Sequence, residues 1–131
     1  MAKKSFDQCI ESIIADIELR KNVDYGKRKS VSQYNKAYDR IAAVTKYIDE
    51  NYSDQIDRFI SLIHHDDPAV SFMFCCLILN NRVHCMGAKK QEALQAVKAL
   101  LSEKKIPAFS TIALPMIIQE WENEIDTEDQ Y

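Results

Sequence analysis

Asp66-Asp67-Pro68-Ala69-Val70-Ser71-Phe72-Met73-Phe74-Cys75-Cys76-Leu77-Ile78-Leu79 is the stretch that decides the fold. Asp67 is suited to cap a helix, and Pro68 falls at the first helical position, where its missing N–H costs nothing. From Ala69 to Leu79 only Ser71 is polar. A helix apolar around most of its circumference has to be covered around most of it. The run is too short for a bilayer, which needs roughly 20 apolar residues. It therefore reads as the central buried helix of an all-helical domain, and no membrane span is expected.

The rest of the chain supplies the cover. Phe6, Ile10, Ile13, Ile14 and Ile17 recur at helical spacing and predict a first helix from Ser5 to about Lys21, with Asp7, Glu11, Asp16, Glu18 and Arg20 on its outer face. Ser30 or Ser32 can cap a second helix running to Asn51, with Tyr34, Tyr38, Ile41, Thr45, Ile48 and Tyr52 as its stripe. Three tyrosines on one face suit a core edge, where the ring is covered and the hydroxyl stays wet. Ser53 can cap a third helix whose inner face is Ile56, Phe59, Ile60 and Ile63.

Asn80-Asn81 ends the central helix. A fifth helix is expected over 88–102, with Ala93, Leu94, Val97, Leu100 and Leu101 inward and Lys89, Lys90, Glu92, Gln95 and Lys98 outward. Ser110 or Thr111 can cap a sixth, carrying Leu114, Ile117, Ile118, Trp121 and Ile125. With Thr111 as cap, Pro115 sits in the first turn and breaks no intrahelical bond.

The totals agree with that reading. Length is 131 residues, which fits one domain over residues 1–131. Two glycines and three prolines disfavour an all-β fold with many tight turns. The net charge of -3 disfavours a dedicated nucleic-acid binder. Lys3 and Lys4 lead into an amphipathic pattern rather than a secretion signal, so cytoplasmic placement with reduced cysteines is expected.

The helices fall into successive hairpins, about six helices in all, as in an α-solenoid. Asp66-Asp67-Pro68-Ala69-Val70 resembles the opening of the second helix of a HEAT repeat, an Asp-x-x-Val-Arg signature, with Ser71 here in place of the arginine. From His64 to Trp121 the chain also resembles a bacterial family of HEAT-like domains. Its pattern is an Asp-Pro turn, an apolar helix, an alanine- and leucine-rich helix, and a last helix that ends much as Ile117-Ile118-Gln119-Glu120-Trp121 does. Members of such families include immunity proteins of bacterial toxin systems. The resemblance implies a HEAT-like α-solenoid that binds protein.

Residues that could carry chemistry are few. His64, His65, Asp66 and Asp67 are ligand types, but neighbours on one loop rarely face one ion, and His84 and Cys85 lie at the far end of a helix of roughly 18 Å. No metal and no cofactor is expected. Cys75 and Cys76 have apolar neighbours, and Cys85 lacks a partner for a nucleophilic dyad. No phosphate loop, nucleophile elbow or HExxH motif occurs. The chain is thus read as a non-enzyme.

Two charged regions remain. Glu120, Glu122, Glu124, Asp126, Glu128 and Asp129 make the end acidic, and Glu120, Glu124 and Glu128 share a helical face. Arg20, Lys21, Lys27, Arg28 and Lys29, with Tyr25 among them, form a basic loop followed by Tyr34 and Tyr38. Within the protein-binding class, the expectation is an immunity protein that blocks the cleft of a nuclease-type toxin domain. Its acidic end would then face a cleft made basic to hold phosphates. The alternatives are a scaffold or assembly module with no toxin, and a nucleic-acid-binding HEAT-like domain using the basic loop. The candidate contact residues are Glu120, Glu124, Glu128, Lys27, Arg28, Tyr34 and Tyr38.

Overall fold

The computed structural model describes residues 4–22, 24, 26–84, 87–105 and 114–128. Among them there is no strand. The helices are α1 (Phe6–Lys21), α2 (Arg28–Asn51), α3 (Ile56–Ile60), α4 (Pro68–Leu79), α5 (Gly87–Ser102) and α6 (Leu114–Glu128).

Helix α1 begins with a reciprocal cap. The Gln8 N–H donates to Ser5 Oγ at 3.1 Å, and the Ser5 N–H donates to Gln8 Oε1 at 2.9 Å. This satisfies two of the donors that every helix start leaves open. Phe6, Cys9, Ile13 and Ile17 are buried against the core. Helix α2 runs back antiparallel along α1. Arg20 meets Tyr34, Asp16 takes Arg40 in a two-pronged ion pair at 2.7 to 3.2 Å, and Phe6 packs edge-on to Tyr52.

The start of α2 departs from the sequence expectation. Ser30 lies inside the first turn rather than before it, and the N-cap is Lys27, whose side chain makes no capping bond. The Ser30 hydroxyl is used differently: it accepts the Asp24 N–H at 2.8 Å, while Asp24 Oδ1 accepts the Gly26 N–H at 2.9 Å. Ser30 thus anchors the preceding turn to the helix instead of opening it.

Helix α4 is the centre. Ten of its 12 residues are buried. Asp67 caps it through a 2.9 Å bond from the Ala69 N–H, and Pro68 occupies the first turn. Its one polar residue, Ser71, donates to the Ile63 carbonyl at 2.5 Å and is buried without an orphaned hydroxyl. Phe74 is 0% exposed and meets Phe59 edge-on at 4.9 Å. Helix α4 packs along α5, against α1, and on the turn that precedes it.

The third helix is not continuous. A 3-10 turn over Ser53–Gln55 leads into the five-residue α3, and a second 3-10 turn over Ser61–His64 follows. The inner face survives, with Phe59, Ile60 and Ile63 buried. The Ser61 hydroxyl donates to the Arg58 carbonyl at 2.6 Å, and Ser71 claims that of Ile63. Such hydroxyl bonds compete with the α-helical ladder and favour tighter winding.

Both α4 and α5 end in a left-handed residue that closes the helix. Asn81 has φ 59°, and the N–H groups of Asn81 and Arg82 return to the carbonyls of Ile78 and Leu77. Lys104 has φ 58°, with Lys104 and Lys105 returning to Leu101 and Leu100. These are paired Schellman bonds. Helix α6 packs on α5, burying Leu114, Ile118, Trp121 and Ile125. Pro115 is the second residue of α6, inside the first turn; its proposed caps, Ser110 and Thr111, lie outside the described residues.

Three facing assignments are corrected. Arg20 is 7% exposed, Lys90 is 8% exposed, and Leu101 is 38% exposed. Long cationic side chains lay their methylenes on apolar surface, which periodicity by residue type cannot register. Leu101 lies in the last turn of α5, one residue before its end, while Leu94 and Val97 further in are buried.

Candidate functional site

Helix α6 is oriented by its inner face. Trp121 is buried and donates its indole N–H to Asn80 Oδ1 at 3.0 Å. On the flank, Glu122 pairs with Lys98 of α5 at 2.5 Å. With that face and flank fixed, Glu120 and Glu124 project outward and are exposed. Among the described residues no cation lies within 4 Å of either carboxylate. Like charges four apart on a helix repel by about 0.2–0.5 kcal/mol, so the pair is a small uncompensated cost to the free protein. The Glu128 backbone is helical, and its side chain lies outside the described residues.

Lys27 and Arg28 are exposed at the start of α2. Lys27 reaches Asp24 only at 4.0 Å. Tyr25 lies outside the described residues. Tyr34 and Tyr38 are half-buried, as a core edge implies, but the group that covers them, and that takes the Tyr34 hydroxyl expected to stay wet, was not visible in the sequence. Arg20 comes up beneath them, with its guanidinium 4.0 Å from the Tyr34 ring centre and 5.0 Å from that of Tyr38, and bonded to the Tyr34 hydroxyl at 2.5 Å. Stacked cations and rings of this kind stabilise by about 0.5–2 kcal/mol. The two tyrosines serve first to hold α1 on α2, and their outer edges are what a partner could touch.

The candidate ligand residues around α4 are engaged elsewhere. His64 bonds Glu92 of α5 at 2.9 Å, and that bond is the main cause holding the Glu92 carboxyl below its usual range. His65 Nδ1 accepts the Asp67 N–H at 3.0 Å. Asp67 also pairs with Lys21 at 2.9 Å, and this bond chiefly lowers its pKa. Among the described residues no three His, Cys, Asp or Glu side chains are grouped to hold an ion. Burial pushes the Cys75 thiol up to about 12 and raises those of Cys76 and Cys9. A thiol so raised is protonated at neutral pH and is a poor nucleophile. Cys85 lies outside the described residues.

One arrangement had no signal in the sequence. Asp49, near the end of α2, accepts the His84 N–H at 2.9 Å with one oxygen and meets His84 Nδ1 at 2.6 Å with the other. The clamp pins the segment after α4 onto α2. The two residues are 35 apart in the chain, and no local pattern links them.

Among the described residues no helix is long and apolar enough to cross a membrane. Compared with protein-family models, with curated proteins and with solved structures, the chain matches none of them.

Proposed function

We propose that this domain acts by binding protein, as a cytoplasmic immunity protein that occludes the basic cleft of a nuclease-type toxin domain, with its helices in a HEAT-like solenoid. The observation that carries the reading is the Glu120–Glu124 pair. Two exposed carboxylates share one helix face with no cation within 4 Å among the described residues, beside Glu122, whose charge is matched by Lys98. A basic partner would relieve that repulsion and be steered to it. Occlusion needs no chemistry of its own, only a complementary face of roughly 800 Å² per partner. The raised cysteine pKa values and the engaged histidines fit a protein that works by surface rather than by reaction. The helix pairs α1–α2, α4–α5 and α5–α6 support the solenoid reading, since each buries its apolar face on a neighbour.

The test is genetic. The reading frame adjoining this gene is expressed alone and together with it. Growth arrest by that frame alone, relieved by co-expression, is the expected outcome. A neighbouring product that is harmless alone, or whose toxicity persists on co-expression, contradicts the proposal.

A further inference from the structure

The start of α2 carries a second surface of opposite charge, independent of the acidic end. Arg28, Lys29 and Lys36 are exposed, and among the described residues no carboxylate lies within 4 Å of any of them. Several other cations are matched, Lys21 with Asp67, Arg40 with Asp16, Arg58 with Asp7 and Lys98 with Glu122, all at 2.9 Å or less. Arg82 and Lys104 are exposed without such a pair among the described residues but stand singly, whereas Arg28, Lys29 and Lys36 stand together at one end of a helix. Arg28 and Lys36 line a shallow open groove with Ser32 and Asn35, whose side chains offer further donors. Positions 28, 32, 35 and 36 fall on one side of the helix, with Lys29 at its margin. Eight residues at 1.5 Å rise separate Arg28 from Lys36 by about 12 Å. That length exceeds one phosphate-to-phosphate interval of an extended single strand, so Arg28 and Lys36 reach different phosphates.

The net charge of -3 opposes a polyanion only if the charge is evenly spread. It is not. The basic end of α1 and α2 adjoins the N-terminus of α4 through Lys21 and Asp67, whereas α6 is tied to its C-terminus through Trp121 and Asn80. Twelve residues of α4 put about 18 Å between them. This is about two Debye lengths at physiological salt, so a ligand on α2 is largely screened from the acidic stretch.

We propose that the α2 face formed by Arg28, Lys29, Ser32, Asn35 and Lys36 binds the phosphate backbone of a nucleic acid strand, without base readout. Arginine and lysine neutralise the phosphates while the hydroxyl and amide supply neutral hydrogen bonds. Asp39 lines the far end of the groove and stops the track there.

The experiment is fluorescence anisotropy of a labelled 20-nucleotide single strand with the full chain, titrated at several salt concentrations. Expected is binding whose log–log salt slope is roughly -2, as about three phosphates neutralised by the three cations give on a single strand. Reversal of Arg28, Lys29 and Lys36 to Glu is expected to weaken binding at least tenfold. Reversal of Lys46, Lys104 and Lys105 changes the net charge equally and is expected to leave it within about twofold. Circular dichroism establishes that both variants fold. A set of neutral Arg28→Gln, Lys29→Gln and Lys36→Gln changes gives a second reading should the reversal unfold the chain. Absence of binding at low salt, equal losses in the two reversals, or preferential capture of a poly-glutamate peptide or anionic phospholipid vesicles over the strand would each overturn the proposal. None of these results bears on Glu120 and Glu124.

Discussion

Trp121 and Asn80 are 41 residues apart and joined by a 3.0 Å bond from the indole N–H to the amide oxygen. Asn80 is the residue that terminates α4, so the central helix fixes the rotation of α6 and hence the outward face that carries Glu120 and Glu124. A double-mutant cycle on Asn80→Ala and Trp121→Phe isolates the bond from the capping and packing that each change also disturbs. The coupling is expected at about 0.5–1.5 kcal/mol from denaturant midpoints. Strictly additive losses would mean that the bond contributes nothing to the seating of α6.

Phe74 lies at the centre of the core, fully buried and edge-on to Phe59. Phe74→Ala is expected to cost about 3–5 kcal/mol, a large part of the stability of an ordinary domain. Chemical denaturation reads this directly. An unchanged midpoint contradicts the assignment of α4 as the central helix.

Much of this core was legible in the sequence because burial follows a period. Asp67-Pro68 marks the start of α4 by cap chemistry, and Asn80-Asn81 marks its end by tolerance of the left-handed region; both ends lie where those residues put them. What stayed hidden depends on partners distant in the chain. Ser30 looks like a cap but is taken by Asp24. Arg20 looks like a surface cation but lies under two tyrosines of α2. The tighter winding at the end of the third helix goes with hydroxyl bonds to its carbonyls, one of them from Ser71 on another helix. Of the candidate surface, exposure of Glu120 and Glu124 follows from the same periodicity, while Lys27 and Arg28, a charged loop by sequence, instead stand at the N-cap and first residue of α2. That no described cation lies beside Glu120 and Glu124 is a tertiary fact that no local pattern carries.

Lys104 holds φ 58° without the freedom of glycine. A left-handed conformation costs an ordinary L-residue roughly 1–2 kcal/mol. Lys104→Gly is therefore expected to stabilise the domain by up to about 1 kcal/mol, after glycine's larger loss of chain entropy is deducted. Asn81→Gly serves as comparison and should gain less, because asparagine tolerates this region. A destabilising Lys104→Gly, measured by thermal or urea unfolding, would show that the side chain does something there beyond closing α5.

Asp67 titrates below its ordinary range, first because of its bond from Lys21. A carboxylate whose folded pKa is depressed contributes stability that is present above its unfolded value, about 3.9. That stability is lost as pH falls through the lower folded value. Asp67→Asn removes both the charge and this dependence. Wild type and Asp67→Asn are expected to differ in stability at neutral pH and to converge below about pH 4. Urea midpoints taken across the acid range check the sign. A difference that widens with acid would contradict it.

The central claim is that the acidic face of α6 steers a basic protein partner. Its most direct test is the association rate of wild type and of the double variant Glu120→Lys, Glu124→Lys with the partner domain that the co-expression experiment identifies. The series runs from low to high salt, with circular dichroism as the folding control. The account predicts that the variant associates about tenfold more slowly, or worse, at low salt, with the two rates converging as salt screens the surface. Equal rates at low salt would contradict it and take Glu120 and Glu124 out of the interface.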